Sequence, residues 1–394
     1  MYPDTTAKAC TGNKVEFVGR DMIVKCTSFE EMHREITEQD MSIVVFGAGV
    51  IGTVTVPEIL RQYDLLGRIA CYIDNSPAAW ERKIVFEDRI LDIKPVDQLR
   101  NLEKNTVVLI AVSRYAEILA QLEQMSHEVY ISYYIIPMMC IHNFCSDISG
   151  GTPILSDKPL IPKKIHYMWL GKKQIPPNLQ KCIDSWKKYC PDYEIIRWDE
   201  NNYDVERHAY MKAAYEKGAY GFVPDYARLD ILYRHGGIYM DTDVEVIKCL
   251  DPLLYQEAFC GIEKWQVLNF GGCSGAIKGH RMIGEFLKAR EDVLFLDAEG
   301  RQNTVTCGFY DTNVAIKNGY QINGTTQNIH GMNIYAFDYF HPYDYMSGRT
   351  YMTEHTYAIH RFNGGWLDEK MKQANREAMQ KYDRIYERAV QNGV

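Results

Sequence analysis

The sequence lacks an apolar stretch long enough to cross a membrane. No run of about 18 apolar residues occurs, whereas a membrane-spanning helix needs roughly 20. The N-terminal segment MYPDTTAKACTGNK also lacks the apolar core that a secretory signal peptide carries. We therefore expect a cytoplasmic protein without a membrane anchor, which could still associate with the inner face of the membrane.

The sequence also lacks paired cysteine motifs and an excess of basic residues. Its 11 cysteines are scattered and include no Cys-x-x-C pair. That pattern predicts reduced, mostly buried thiols, as is typical of cytoplasmic proteins. The formal net charge is −8, so the chain offers no global basic field to a nucleic acid. A nucleic acid is therefore not an expected partner.

Length and composition predict two folded domains. A chain of 394 residues, 46% hydrophobic and 24% charged, is typical of a two-domain globular protein. Residues 141–160 are polar and contain two adjacent glycines and two prolines, which is the composition of an inter-domain linker. We expect a first domain at 1–145, a linker at 146–160 and a second domain at 161–394.

The first domain reads as alternating strands and helices, which predicts a Rossmann-like parallel sheet. A buried strand at 43–46 leads into a Gly-x-Gly-x-x-Gly pattern and a helix at 50–63, and a second strand ends in an acid 22 residues beyond the last glycine. Glycines there allow a tight turn and let a phosphate approach the helix N-terminus. The candidate cofactor-binding residues are Gly47, Gly49, Gly52 and Asp74.

The ligand of this first domain is less well indicated than its fold, because a fold does not determine a ligand. Only about 100 residues are available, and no Tyr-x-x-x-Lys occurs to supply the proton donor of a short-chain dehydrogenase. NAD(P) is therefore the weaker expectation. The segments FGAGVIG and YIDNSPAAW resemble small Rossmann domains of bacterial polysaccharide proteins. That resemblance implies a nucleotide or nucleotide-sugar module, or a docking domain without a ligand.

The most informative stretch covers residues 221–246, GFVPDYARLDILYRHGGIYMDTDVEV. Apolar residues recur at helical spacing, Gly236 and Gly237 end the helix, and a short strand then runs into Asp241-Thr242-Asp243. Alternate residues of a strand point to one face, so two carboxylates could converge on a hard cation such as Mg²⁺. Asp-x-Asp taken alone more often marks a solvated turn.

The whole stretch resembles the sugar-binding DXD region of glycosyltransferase family 32 and is similar to the glucosyltransferase domain of large clostridial toxins. An Asp-x-x-Arg on the helix, a Gly-Gly, an aromatic residue and Asp-x-Asp follow one another at the family's spacing. The matching positions are Asp225, Arg228, Gly236, Gly237, Tyr239, Asp241 and Asp243. The resemblance implies a GT-A type nucleotide-diphospho-sugar transferase domain, a nucleotide-sugar donor, a Mn or Mg ion, and retention of anomeric configuration.

Other segments of the second domain carry the same resemblance. IPKKIHYMWLGKKQIPP looks like the opening strand of the family, in which a tryptophan, here Trp169, stacks on the donor base. Asn269 lies where relatives place a polar residue near the sugar, and HRFNGGW resembles the closing pattern, with His360 and Trp366 matched. Gly365 stands where relatives usually carry a serine, which puts that serine's contribution to the metal or diphosphate in doubt.

The resemblance implies a role for each of these residues. Asp243 and His360 would bind the cation or the diphosphate, and Asp241 would contact the ribose or a metal-bound water. Asp225 and Arg228 lie one helical turn apart and would grip sugar hydroxyls. Tyr239 would pack beside the ribose, and Trp366 would close over the donor. Residues 367–390 predict a charged C-terminal helix that is solvated or contacts a membrane surface or a partner.

These expectations combine into one α/β architecture and one function. A Rossmann-like domain would precede a metal-dependent, retaining glycosyltransferase that uses a UDP-sugar in preference to a GDP-sugar. Its acceptor would be a glycan or lipid-linked glycan in bacterial surface or capsular polysaccharide synthesis. The alternatives are an NAD(P)-dependent enzyme that modifies nucleotide-sugars through the first domain, and a non-catalytic sugar-binding protein. The oligomeric state stays open.

Overall fold

The chain divides into two compact units. The computed structural model describes residues 14–16, 23–86, 89–102, 105–125, 132–144 and 151–363, with Gln373 and Glu377. One unit comprises Met1–Ile148 with Asn375–Val394, and the other comprises Ser149–Ala374. Gly365, Trp366 and the predicted C-terminal helix lie outside the described residues, apart from those two single positions. No helix among the described residues is long and apolar enough to cross a membrane.

The first unit contains an eight-stranded sheet with the order β1-β2-β8-β7-β3-β4-β6-β5. Neighbouring strands from β2 to β6 are parallel, and only the outermost pairs, β1 with β2 and β5 with β6, are antiparallel. Its strands are β1 (Lys14–Glu16), β2 (Ile23–Lys25), β3 (Ser42–Phe46), β4 (Ile69–Ile73), β5 (Lys83–Phe86), β6 (Arg89–Lys94), β7 (Thr106–Ile110) and β8 (Ser132–Ile135). Its helices are α1 (Phe29–Glu38), α2 (Val56–Gln62), α3 (Pro77–Trp80), α4 (Tyr115–Met125) and α5 (Ile136–Phe144).

The sequence of the central strands explains the parallel sheet. Strand β7 reads TVVLI and is buried along its whole length, as expected for a strand covered on both faces. The helix predicted at 50–63 begins instead with a π-helical turn, Ile51–Thr55, before α2. Pro57 lacks the N–H that would extend an α-helix across this point, which accounts for the change in helix type.

The second unit contains a mixed sheet with the order β10-β9-β11-β15-β13-β17-β16, and β14 pairs with β13. A separate two-stranded sheet joins β12 to β18. Its strands are β9 (Lys164–Met168), β10 (Glu194–Trp198), β11 (Gly237–Tyr239), β12 (Val244–Val246), β13 (Ala258–Ile262), β14 (Leu268–Asn269), β15 (Ser274–Ala276), β16 (Gln327–Ile329), β17 (Met332–Tyr335) and β18 (Ala358–His360). Its helices are α6 (Pro177–Tyr189), α7 (Ala209–Glu216), α8 (Pro224–His235), α9 (Arg281–Lys288) and α10 (Cys307–Lys317).

The strand order of the second unit reverses at β9. Strands β10, β9 and β11 are parallel neighbours, with β9 between the other two. The chain therefore passes from β9 to β10 on one side and returns to β11 on the other. Such a reversal of strand order leaves a ligand crevice outside the carboxyl ends of the strands. The α/β fold class predicted from the sequence is confirmed.

The turn between α8 and β11 requires both of its glycines. Gly236 and Gly237 have φ angles of 65° and 104°, a region that side-chain-bearing residues rarely occupy. A Cβ atom on Gly237 would also lie 2.8 Å from the Nε2 atom of buried His166. The glycine pair thus ends the helix as predicted and starts the strand that carries Asp241 to the crevice.

Candidate functional site

Two aspartates and a histidine converge at the carboxyl end of β11. One potential ligand atom from each of Asp241, Asp243 and His360 lies within 4.8 Å of the others. Asp241 and Asp243 follow β11 directly, whereas His360 ends β18, more than a hundred residues later. The antiparallel pairing of Val244 with His360 brings the histidine to the aspartates. The cluster predicted at Asp241, Asp243 and His360 is therefore assembled by one strand pair.

Within this cluster the buried His360 pairs with the partly buried Asp243. The Nε2 atom of His360 lies 3.3 Å from Oδ1 of Asp243, and the Asn363 amide donates to Oδ2 at 2.7 Å. Burial raises the pKa of Asp243, but the charge of His360 and these hydrogen bonds outweigh it and leave the pKa below its ordinary value. Burial lowers the pKa of His360, but Asp243 outweighs burial and leaves it raised. Each shift favours the charged form of its group.

Arg228 lies between the two remaining carboxylates. Its Nη2 atom is 3.2 Å from Oδ1 of Asp225 and 3.3 Å from Oδ2 of Asp241. Only 5% of Arg228 is exposed. Burial alone would lower the pKa of this guanidinium, but the charges of Asp241, Asp225 and its other neighbours together outweigh burial and leave the pKa raised. The four residues predicted to be catalytic, Asp225, Arg228, Asp241 and Asp243, therefore lie in one place.

The loop that follows β14 holds the backbone of Asp241 by a hydrogen bond. The Gly271 carbonyl accepts a hydrogen bond from the Asp241 amide at 2.8 Å. Oδ1 of Asn269 accepts from the amides of Gly271 and Gly272 at 2.8 and 3.2 Å, and its Nδ2 donates to Glu263 at 2.8 Å. Asn269 therefore shapes the loop that holds Asp241. Its contact with a sugar stays a prediction.

Several buried polar atoms around this cluster have no hydrogen-bond partner among the described residues. They are Nε of Arg228, the hydroxyl of Tyr239, Nδ1 of His360 and both ring nitrogens of His341. The His341 and His360 rings lie 5.5 Å apart. Most buried polar groups in proteins are paired, so a concentration of unpaired ones is typical of a site that binds a polar ligand.

The residues of the cluster fit a divalent cation. Two carboxylates and an imidazole supply the oxygen and nitrogen ligands that Mn²⁺ and other first-row metals accept. His360 would first release the proton that Asp243 stabilises, because metal ligands bind deprotonated. Nδ1 of His360 has no hydrogen-bond partner among the described residues, so this nitrogen is available to bind a ligand.

Trp169 lies at the same sheet edge. It follows β9, and β9 pairs in parallel with β11, which leads to Asp241. Its indole Nε1 donates to the Lys173 carbonyl at 2.7 Å, which closes the Gly-Lys-Lys loop, and the ring is partly buried against the core. The packing role and the predicted stacking on a donor base are compatible, because a tryptophan ring has two faces.

Sequence reasoning missed a buried group behind Asp225. Nη2 of Arg290 donates to both carboxylate oxygens of Asp311 beside Cys307, whose thiol lies 3.7 Å from Nη1 of Arg228. No motif in the sequence pointed to Arg290 or Asp311. His341 and Glu263 also adjoin the cluster, and neither stands in a recognisable pattern.

In the first unit, the predicted cofactor residues lie in loops that hydrogen bonds and close packing hold together. Asp74 accepts from the amides of Ala48 and Ser76, both at 2.8 Å, so each of its oxygens already has a backbone donor. A Cβ atom on Gly52 would lie 1.9 Å from the Gly47 carbonyl oxygen, whereas one on Gly49 would meet no atom within 4 Å. Gly47 and Gly52 are thus required by packing. Binding of NAD(P) or another nucleotide here stays a prediction.

One segment of the second unit matches a known family model. Residues 176–260 match the model described as "Glycosyltransferase sugar-binding region containing DXD motif". That segment includes Asp225, Arg228, Asp241 and Asp243. Over these residues the chain is therefore similar to the glycosyltransferase sugar-binding region that the motif predicted.

Several curated proteins are similar to part of the chain, and two of the three described here are named for mannosyl transfer. The chain is 30% identical over 121 residues to inositol phosphoceramide mannosyltransferase 1 of Schizosaccharomyces pombe, covering 29% of this chain and 38% of that protein. It is 33% identical over 143 residues to mannosyl phosphorylinositol ceramide synthase SUR1 of Saccharomyces cerevisiae, covering 33% of this chain and 36% of that protein. It is also 29% identical over 170 residues to "Subversion of eukaryotic traffic protein A" of Legionella pneumophila, covering 35% and 26% respectively. The chain thus spans less than two fifths of the length of these relatives.

Solved structures with some likeness include two glycosyltransferases. PaToxG glycosyltransferase overlaps 52% of this chain and 77% of its own, with 16% identity and a TM-score of 0.33. The galactosyltransferase LgtC, in complex with donor and acceptor sugar analogs, overlaps 58% of this chain and 95% of its own, with 15% identity and a TM-score of 0.30. These TM-scores and identities are too low to show a shared fold or function.

Proposed function

We propose that this protein is a metal-dependent glycosyltransferase that moves a sugar from a nucleotide-sugar donor to a glycan or lipid-linked acceptor. The observation that carries the proposal is the convergence of Asp241, Asp243 and His360 beside the buried Asp225–Arg228 pair. The three-residue cluster would bind a cation and the donor diphosphate. The neighbouring Asp225–Arg228 pair would bind the hydroxyl groups of the sugar attached to that diphosphate.

Asp241, Asp243 and His360 would hold the cation and face the donor diphosphate. A bound divalent cation would supply positive charge that stabilises the departing nucleoside diphosphate. Trp169 would offer its ring to the base from the neighbouring strand end. Tyr239, whose buried hydroxyl has no partner among the described residues, would donate to a ribose or phosphate oxygen.

Asp225 and Arg228 would bind the sugar. Burial raises the pKa of Asp225, although the charges of Arg228 and Arg290 oppose that shift. A carboxylate held next to two arginines accepts hydrogen bonds from sugar hydroxyls, and Arg228 donates to hydroxyl or phosphate oxygens. Charge-assisted hydrogen bonds of this kind are roughly twice as strong as those between neutral groups.

The chemical step in this proposal retains the anomeric configuration. The acceptor oxygen forms a bond to the anomeric carbon on the face from which the leaving group departs. The bond between that carbon and the diphosphate oxygen breaks, and its electrons stay on the diphosphate. A diphosphate oxygen takes the acceptor's proton, so that no carboxylate nucleophile is needed.

The finer assignments rest on the relatives' names and on the sequence. Two of the relatives are named for mannosyl transfer to inositol phosphoceramide, which makes mannose and a lipid-linked acceptor candidates here. We expect a UDP-sugar in preference to a GDP-sugar, and the family resemblance suggests a bacterial surface polysaccharide as the acceptor. We retain both donor nucleotides for testing, with a cytoplasmic site of action at the inner face of the membrane.

The test is donor hydrolysis with a panel of UDP- and GDP-sugars in the presence of Mn²⁺, Mg²⁺ or EDTA. We expect slow release of one nucleotide that EDTA abolishes and that Asp243→Asn reduces at least about 100-fold, the usual order for a lost group that stabilises charge in the transition state. Asp184→Asn is the matched control, because that aspartate is exposed on α6.

The outcomes separate the alternatives. Tight metal-dependent donor binding without hydrolysis or transfer to any acceptor would favour a non-catalytic sugar-binding protein. Metal-independent nucleotide binding that survives Asp243→Asn and disappears in Gly49→Trp would move the activity to the first unit. Either result would overturn the proposal.

A further inference from the structure

Arg290 forms a buried network directly behind the sugar-binding pair. It follows the end of α9, and only 5% of it is exposed. Its Nη2 atom donates to both carboxylate oxygens of Asp311 at 2.7 Å, and Asp311, on α10, is 1% exposed. Both bonds come from the single nitrogen Nη2, so the charge-assisted pair fixes the position of that end of the guanidinium.

The same guanidinium holds two backbone carbonyls. Nη1 of Arg290 donates to the Asp225 carbonyl at 2.8 Å, and Nη2 donates to the Cys307 carbonyl at 3.1 Å. Asp225 lies in the first turn of α8, and Cys307 is the first residue of α10. One side chain therefore joins the beginnings of two helices to the end of a third.

Both of these helix starts present a side chain to Arg228. The Asp225 carboxylate is 3.2 Å from Nη2 of Arg228, and the Cys307 sulfur is 3.7 Å from its Nη1. Burial raises the pKa of the Cys307 thiol, so the sulfur meets Arg228 as a neutral group. The position of Arg228 thus depends on two residues whose backbones Arg290 holds.

A buried ion pair is poorly explained by stability alone. The cost of removing both charges from water often equals or exceeds their attraction, so a buried pair is weak evidence for a stabilising role. Geometric control is the better account here, since the bonds of Arg290 end on the residues that frame Arg228.

We propose that Arg290, paired with Asp311, is a positioning residue that sets the geometry of Asp225 and Arg228 for the donor sugar. This inference rests on the proposed function, and it makes Arg290 specific for the sugar part of the donor. The nucleoside diphosphate would be held separately, because the β12–β18 pairing and the Asn363 amide assemble the cation cluster.

The experiment compares two ligands in each variant. Calorimetry with Mn²⁺ and UDP, and with Mn²⁺ and GDP, measures the nucleoside diphosphate site. Hydrolysis of UDP-glucose, UDP-galactose and GDP-mannose reports on the sugar site, and kcat and KM are determined separately for each donor. The variants are Arg290→Lys, which keeps the charge but loses the planar fork, and the double variant Arg290→Met with Asp311→Leu. Arg301→Lys is the control, since Arg301 pairs with Asp297 on the surface.

We expect both variants to bind the nucleoside diphosphate within about twofold of the wild type. Hydrolysis should fall by about 100-fold in kcat/KM, the loss that a misplacement of roughly 1 Å can cause. The double variant should unfold at a temperature close to that of the wild type, because apolar replacement of a buried pair is often neutral or stabilising. A folded double variant with low hydrolysis would exclude a merely structural role.

Three results would overturn the inference. One is a loss of nucleoside diphosphate affinity as large as the loss of donor hydrolysis, which would make Arg290 a general scaffold residue. A second is wild-type hydrolysis in the double variant. The third is a rate of hydrolysis that rises and falls with the unfolding temperature across the variants, which would mean that Arg290 acts through stability alone. If the wild type itself binds no nucleoside diphosphate with Mn²⁺, the proposed function fails instead, and that result is visible before any variant is compared.

Discussion

Gly271→Ala should displace Asp241 while leaving the fold intact. A Cβ atom built on Gly271 lies 2.1 Å from Oδ2 of Asp241, 2.9 Å from its Cγ and 3.1 Å from Nη1 of Arg228. Real Cβ contacts begin at about 3.0 Å, so the carboxylate would have to withdraw by about 0.9 Å. The φ angle of Gly271 is not among the positive values, so alanine meets no backbone penalty there.

The expected effect is larger on activity than on stability. Overpacking of a tight site typically costs about 1–3 kcal/mol of unfolding free energy. A carboxylate moved by about 1 Å away from a cation and a donor can lower the rate about 100-fold. We therefore expect metal-dependent donor hydrolysis to fall about 100-fold, with a raised Mn²⁺ requirement, in a protein that still unfolds cooperatively.

The matched control is Gly67→Ala. A Cβ atom on Gly67 would meet no atom within 4 Å, so this variant should behave as the wild type in both assays. The measurements are donor hydrolysis at several Mn²⁺ concentrations and urea unfolding of both variants. Wild-type hydrolysis by a folded Gly271→Ala protein would refute the placement of Asp241 in the site.

Three further predictions test the packing and the donor site. Gly272→Ala places a Cβ atom 1.9 Å from Cε1 of buried His341, and urea unfolding should show a loss of about 1–3 kcal/mol; an unchanged midpoint would contradict the loop packing. Asp344→Asn leaves Lys264 buried without its carboxylate, so unfolding at pH 7 should reveal a loss of about 3–5 kcal/mol. Burial raises the pKa of Asp344, but Lys264 outweighs it and leaves the pKa lowered, so the wild type should lose this contribution only as the pH falls through that lowered value. Trp169→Ala should weaken nucleotide binding by about 1–3 kcal/mol if the ring stacks on the base, whereas Trp169→Phe should retain most of the affinity; equal affinity in both variants and the wild type would argue against stacking.

Local sequence determined the elements that carry the first half of the site. The helical spacing of apolar residues, the Gly236-Gly237 stop and the short strand before Asp241 are properties of neighbouring residues, so they could be read without a structure. The Asp-x-x-Arg spacing likewise places Asp225 and Arg228 on one helix face, where the structure has them in contact. Family resemblance added His360, for which the local sequence held no sufficient signal.

Local sequence was a weaker guide where backbone geometry depends on a single residue. The first domain's parallel sheet followed from its alternating strands and helices, but the π-helical turn at Ile51–Thr55 did not. The glycine pattern was visible, whereas the capture of both Asp74 oxygens by backbone amides was not. Hydrogen-bond partners of this kind depend on how a loop closes in three dimensions.

The tertiary structure alone decided how distant segments meet around Arg228 and Asp241. Strand β18 reaches Asp243 because it pairs with β12, and the loop at Gly271 reaches Asp241 because it follows β14 at the same sheet edge. Arg290 contacts the carbonyls of Asp225 and Cys307 from positions 65 and 17 residues away. The sequence determined which residues carry charge and which segments form helices and strands. Long-range packing decided which charges meet, because burial, and the pKa shifts and pairing that follow from it, are properties of the assembled core.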